Sequence, residues 1–370
     1  MAVWIQHIET LVPPYSFSQE YASQKMQEWS GDERQRRLIA ALYRKSGIEK
    51  RHSVISSFED GEEGGFFRFG PEGQRLEPGT AWRNEVFGRE TRGLAVELAR
   101  KLVEATPGLA AGEITHVITA SCTGFNNPGA DYHIVQGLGL PFSTQRFNLG
   151  FMGCYAALPA LRMAAQFCQA DPAATVLVMC LELCSLHLQL RGTEDALLAN
   201  SLFADGLGAA IVSARPPQGD ALRLDGFEST LVPSGEEAMT WTLGDFGFDI
   251  ALSSYVPKII GASIGDWVSS SLARHGRLPE AVRRWAVHPG GKAIVEKVRD
   301  SLALDPQQVR ASLEVLRQYG NMSSATILFV LQELLREPAA TQEEESICAL
   351  AFGPGLTLEL ALLGAQRAGA

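Results

Sequence analysis

The chain has little of what marks the more specialised classes of protein. Its 370 residues include six cysteines, too few to staple a chain of this length with disulfides. Cys122, Cys154, Cys168, Cys180 and Cys184 fall in the first half and Cys348 stands near the end. Cys180-x3-Cys184 has no second Cys or His pair at ligand spacing, so no metal site is expected. Basic residues number 32 against 42 acidic ones, and a formal charge of -10 argues against nucleic acid or an anionic membrane as the main partner. No uncharged apolar run reaches the ~18 residues of a membrane span. The longest candidate, residues 173–188, is interrupted by Glu182. The N-terminus lacks a basic segment followed by an apolar stretch and a small-residue cleavage site, so the expectation is a cytoplasmic protein with reduced thiols. Gly137-Leu-Gly-Leu140 lacks the third glycine and trailing acid of a dinucleotide fingerprint.

What is present is ordinary globular composition, 46% hydrophobic and 20% charged, at a length suited to two packed units or one duplicated unit. Apolar β-rich runs at 116–120 (HVITA), 175–180 (TVLVMC) and 209–213 (AAIVS) read as buried strands, and 155–169 reads as a helix of small and apolar residues. Short buried strands alternating with helices indicate an α/β fold. The weakest point of the chain is Ala214-Arg-Pro-Pro-Gln-Gly-Asp220, which divides it into residues 1–218 and 219–370. The acidic, glycine-rich stretch 58–73 and the run 343–345 read as exposed loops.

The second part repeats the plan of the first. A strand leading to Cys122 is followed 32 residues later by Gly153-Cys154 opening a helix. A strand leading to His288 is followed 33 residues later by Gly320-Asn321 opening another. Two copies of one βα plan about a pseudo-twofold axis would bring Cys154, His288 and Asn321 together. A cysteine at a helix start faces the positive end of the macrodipole, which favours thiolate. Taken alone, Asn321 is a helix N-cap and His288 a loop histidine. As a set, a thiolate, an imidazole able to hold it as an ion pair and an amide donor are the parts needed for acyl transfer through a thioester.

With these residues in place, the sequence resembles the type III polyketide synthases, the chalcone and stilbene synthase-like enzymes. The resemblance runs over nearly the whole chain: SCTGFNNPGADYHIVQGLGL at Ser121, GCYAALPALR at Gly153, SLFADGLGAAIV at Ser201, HPGGKAIVEKV at His288, YGNMSSATILFVL at Tyr319 and FGPGLTLE at Phe352. It implies a thiolase-like fold of two pseudo-symmetric halves in an αβαβα core. It also implies Cys154 as acyl carrier, with His288 and Asn321 acting on malonyl-CoA. No cofactor is implied: acyl-CoA and malonyl-CoA are substrates, and loss of carbon dioxide drives the condensation. Phe203 matches the family's gating phenylalanine, whereas a second gating phenylalanine corresponds to Ile250 and a pocket-lining glycine to Trp241. Asn127 stands where the plant enzymes place a methionine that reaches into the neighbouring subunit of a homodimer. Cys122, Cys184 and His187 replace residues that are mostly threonine in those enzymes, and core packing remains an alternative for each. These departures resemble the bacterial alkylpyrone and alkylresorcinol synthases, and the loss of an aromatic gate at Ile250 points to an apolar, fatty acyl starter. Glu182, Cys122 and Ser323 are candidates for a hydrogen-bond network beside the thioester.

Seven Lys or Arg residues crowd 34–52. Lys45 falls where the family binds CoA, and Ala293 belongs to the same site by resemblance. Two other basic positions of that site read as Leu38 and Ala41, so Arg37 or Arg44 would take their roles; a solvated helix face is the alternative. Two other functions stay open, a ketosynthase III-like enzyme performing one condensation and a catalytically silent acyl-binding subunit.

Overall fold

The structure, a computed structural model, describes residues 1–59, 66–69, 72, 75–337 and 345–367. Nine strands form one hydrogen-bonded order: Arg284–Val287, Glu345–Gly353, Thr357–Gln366, Ala221–Leu231, Trp4–Leu11, Asp205–Ser213, Thr175–Leu183, His116–Ser121 and Gln145–Gly150. The order is a duplication. From Trp4–Leu11 outward the pairings run antiparallel, antiparallel, parallel, parallel. From Ala221–Leu231 outward they run antiparallel, antiparallel, parallel. The halves join where Trp4 and Ile5 pair with Arg223 and Leu222, and residues 214–220 form the loop between them.

Side-chain alternation explains the layers. In Thr175–Leu183, Val176, Val178 and Cys180 face one core while Leu177, Met179 and Leu181 face another. A strand buried on both faces is apolar at most positions, which is why residues 176–181 read as an apolar run, with the buried Glu182 as the exception. The central core holds the Ala157–Ala170 and Thr326–Arg336 helices between the two halves of the sheet. Ala157, Ala160, Ala164 and Ala165 keep the first of these slim. The Thr80–Ala105 and Ala130–Leu138 helices cover one outer face. Val256–Arg274 covers the other, burying Val256, Ile260, Ile264, Val268 and Leu272 at four-residue spacing beside the Lys292–Ser301 helix. The result is αβαβα.

Two expected loops need correction. Phe66 and Phe67 are buried, Phe66 against Trp82; residues 60–65, 70, 71 and 73 of that stretch lie outside the described residues. Residues 343 and 344 also lie outside them, but Glu345 opens a strand, is buried and pairs with Arg284 at 3.0 Å, so a charge that looked solvated is neutralised by a neighbouring strand. Among the described residues no helix is long and apolar enough to cross a membrane, and no group of three His, Cys, Asp or Glu is arranged to hold a metal.

Candidate active site

Cys122 and Cys154 follow neighbouring parallel strands and so reach one end of their half of the sheet, and His288 follows the equivalent parallel-paired strand of the other half, packed across the central core. Cys122 follows His116–Ser121, Cys154 follows Gln145–Gly150, and His288 follows Arg284–Val287. Asn321 sits between the Arg310–Tyr319 helix and the short turn Ser323–Ala325, bridged to Phe203. All four line one cavity, together with Cys184, Trp241, Ile250, Ser323 and others. Gly153 turns the chain at φ 90°, and a Cβ there would stand 2.5 Å from Pro354 Cδ. Ser323 holds φ 47°, a strained value for a residue with a side chain, which aims its hydroxyl at the sulfurs of Cys122 and Cys154.

Asn321 stands one residue before Met322, which caps the Ser323–Ala325 turn; its Oδ1 accepts from Ser323 N at 2.9 Å and its Nδ2 donates to the Gly290 carbonyl at 3.2 Å. His288 is buried, and neither ring nitrogen has a partner among the described residues. Burial holds its imidazole down at about 3. Burial likewise pushes the Cys154 thiol up to about 11, against hydrogen bonds from Ser323 and Asn321. Burial thus opposes both members of the expected thiolate–imidazolium pair. The helix begins at Ala157, three residues past Cys154, so the macrodipole is too far away to offset desolvation of a sulfur anion. At rest the proton belongs on sulfur and the imidazole is neutral.

Glu182 is the polar hub behind the cavity. Fully buried, it accepts from Cys122 N at 3.0 Å, Thr123 Oγ1 at 2.8 Å, Ser121 Oγ at 3.3 Å and Ser324 Oγ. The Cys122 sulfur lies 3.5 Å from its Oε1 and 3.2 Å from Ser323 Oγ. His187 donates from Nε2 to the Thr123 carbonyl at 2.7 Å and accepts at Nδ1 from Phe248 N at 3.1 Å, which settles its tautomer. It stacks on Phe248, and burial lowers it to about 3. Trp241 donates from Nε1 to the Cys122 carbonyl at 2.7 Å and leans on Phe203 and His187. The hairpin Met239–Gly244/Gly247–Leu252 is thus pinned to the cysteine loop.

Comparison with known proteins decides what this arrangement belongs to. Residues 7–216 match the N-terminal domain of chalcone and stilbene synthases, and residues 224–366 match their C-terminal domain. The chain belongs to the chalcone and stilbene synthase family, the type III polyketide synthases. It is 32% identical over 361 residues to the alpha-pyrone synthesis polyketide synthase-like protein Pks18 of Mycobacterium tuberculosis, covering 96% of this chain and 89% of that one. The type III domain of Steely1, a type I/III hybrid from Dictyostelium, superposes with TM-score 0.88 at 28% identity, over 98% of this chain and 99% of that one. The 1,3,6,8-tetrahydroxynaphthalene synthase of Streptomyces coelicolor A3(2) gives TM-score 0.88 at 28% identity, over 99% and 100%.

In this synthase Phe203, Trp241, Ile250 and Cys184 have a second role that sequence reasoning missed. They also line an adjoining cavity of about 990 Å³, mouth included, whose apolar walls include Phe17, Met26, Trp29, Phe58 and Leu188. His187 lines this second cavity and is a clamp between loops as well as a wall. The signal that could have found it was the aromatic and methionine content of residues 17–29. Asn127 does not join the Cys154 cavity: it is exposed, precedes Pro128 through a cis peptide and lines a third, open cavity. Arg37, Arg44, Lys45 and Ala293 are all exposed and do not reach the cysteine. Gly47, two residues past Lys45, abuts Lys292, so Lys45 and Ala293 share one stretch of surface, while Arg37 faces Glu33 at 4.0 Å.

Proposed function

We propose that the synthase loads a fatty acyl group from CoA onto Cys154, extends it by decarboxylative condensation with malonyl-CoA, and closes the chain to an alkylpyrone or alkylresorcinol. The observation that carries this reading is the unpartnered His288 imidazole on the same wall as Cys154 and Asn321. A buried polar group without a partner costs free energy, and a substrate oxygen would supply the missing hydrogen bond.

The protonation states set the steps. His288 takes the Cys154 proton as sulfur attacks the acyl thioester, and the CoA thiol leaves with a proton. Malonyl-CoA then loses carbon dioxide, and the enolate oxygen accepts from the His288 ring and from the Asn321 amide, donors already in position. The enolate carbon bonds to the Cys154-bound carbonyl carbon and the sulfur leaves. The CoA thioesters are the only small molecules this chemistry consumes. The second cavity also carries Lys25, Arg51, Arg191 and Asp249, but its apolar side of Phe17, Met26, Trp29, Phe58 and Leu188 suits an aliphatic tail, which favours a fatty acyl starter. The name of Pks18 favours lactone closure to a pyrone over aldol closure. We place the working enzyme in the cytoplasm as a homodimer, with CoA phosphates near Lys45 and Ala293.

The test is purified protein with a panel of acyl-CoA starters and malonyl-CoA, followed by product mass. Ring products carrying two or more extension units on long-chain starters are expected. One extension unit without a ring would support a ketosynthase III-like enzyme, and an inert protein the silent acyl-binding subunit.

A further inference from the structure

The reaction proposed above needs one thiol, yet its cavity holds three: Cys122, Cys154 and Cys184. Two of them share a partner. The Cys122 sulfur lies 3.2 Å from Ser323 Oγ, and the same hydroxyl faces the Cys154 sulfur. Both sulfurs thus line one cavity beside the same strained serine, and Cys154 is only partly buried there. Cys122 also points its thiol at Glu182, whose carboxylate oxygens lie 3.5 and 3.6 Å away.

We propose that Cys154 and Cys122 form a two-electron modification site for hydroperoxides, in which Cys122 resolves oxidised Cys154 as an intramolecular disulfide. In the first step the Cys154 sulfur attacks one peroxide oxygen, the O–O bond breaks, and the thiol proton joins the departing hydroxide. Hydrogen peroxide is reduced to water and Cys154 becomes a sulfenic acid. In the second step Cys122 passes its proton to Glu182 and its sulfur attacks the Cys154 sulfur. The S–O bond breaks, and hydroxide takes up a proton and leaves as water. Two thiols and one hydrogen peroxide thus give one disulfide and two waters. Rotation of the two side chains away from Ser323 closes the bond; the disulfide returns to two thiols with an external dithiol. The state protects Cys154 from irreversible sulfinic and sulfonic acids, because a sulfenic acid consumed by a thiol of the same cavity does not meet a second peroxide. The inference concerns the sulfurs alone and holds whatever the starter or product.

The 370-residue protein is treated with about one equivalent of hydrogen peroxide, quenched with iodoacetamide, and mapped by non-reducing proteolysis and mass spectrometry. The expected result is a protein lighter by two hydrogens, a linked Cys122–Cys154 peptide, and reversal by dithiothreitol. In Cys122→Ser two or more equivalents should add two oxygens to Cys154 without reversal, a dose at which the wild type still gives the disulfide, whereas Cys184→Ser should behave as the wild type. The proposal is overturned if wild-type Cys154 gains oxygens while Cys122 stays open to alkylation, or if Cys154 links to Cys184 instead. The wild-type map decides the matter even where a variant does not fold. Because the readout is mass and not turnover, its failure is separate from failure of the polyketide synthase reading.

Discussion

Replacing His288 by glutamine should make the enzyme's stability less sensitive to acid, by an amount the structure sets. A free imidazole titrates near 6.5, whereas buried His288 titrates at about 3. Between those values the unfolded chain binds a proton that the folded chain refuses. Stability is therefore complete above the unfolded value and falls as pH drops toward the folded one. At about pH 5 the unfolded imidazole lies roughly 1.5 units below its own pKa, which corresponds to about 2 kcal/mol lost relative to about pH 7.5. The figure holds for any folded value below roughly 4. His187, also held at about 3, adds a loss of similar size. Asp205 runs the other way: burial raises it from 3.8 to about 6, so its burden is relieved as pH falls through that value. The wild-type curve mixes these contributions, and the variant isolates one of them. Urea unfolding of wild type and His288→Gln near both pH values measures the gap between them. The gap should move about 2 kcal/mol in favour of the variant at the lower pH. The buried glutamine amide lowers the variant's stability equally at both, so it cancels. An unchanged gap would refute the burial of a neutral imidazole.

Other outcomes follow from the same geometry. Cys154→Ala should abolish the acyl-enzyme adduct in intact mass spectra and stop condensation, while carbon dioxide release from malonyl-CoA persists through His288 and Asn321; unchanged product would remove Cys154 from the chemistry. Trp241→Gly removes the indole between the two cavities and its bond to the Cys122 carbonyl, and should lengthen or reroute the product, read by mass. Ala22→Phe, on the wall of the second cavity, should lower kcat/KM for long-chain starters about tenfold or more and spare short ones. Glu182→Ala strands the donors of Cys122, Thr123 and Ser324 and should cost on the order of 3–5 kcal/mol, measured by urea midpoint.

The fold was legible because burial on both faces of a sheet leaves a plain trace. Thr175–Leu183 and Glu345–Gly353 are buried at nearly every position and read as apolar runs. The spacing from Cys122 to Cys154, repeated from His288 to Asn321, carried the duplication, and the strand pairings repeat with it. Glu345 misled because its partner Arg284 is distant in sequence, and charge in a short acidic run usually means solvent.

Residue types and their order thus determined the layered architecture, the family and the loops that hold a thiol, an imidazole and an amide. Local pattern suffices for these, since each depends on periodicity or on a short motif. Tertiary structure alone decided where the protons rest, how His187 ties Thr123 to Phe248, and that two sulfurs share Ser323. It also opened a cavity with one apolar side between residues 17–58 and 184–250. Those properties arise from desolvation and from contacts between segments far apart in the chain, and neither is written in any one stretch of sequence.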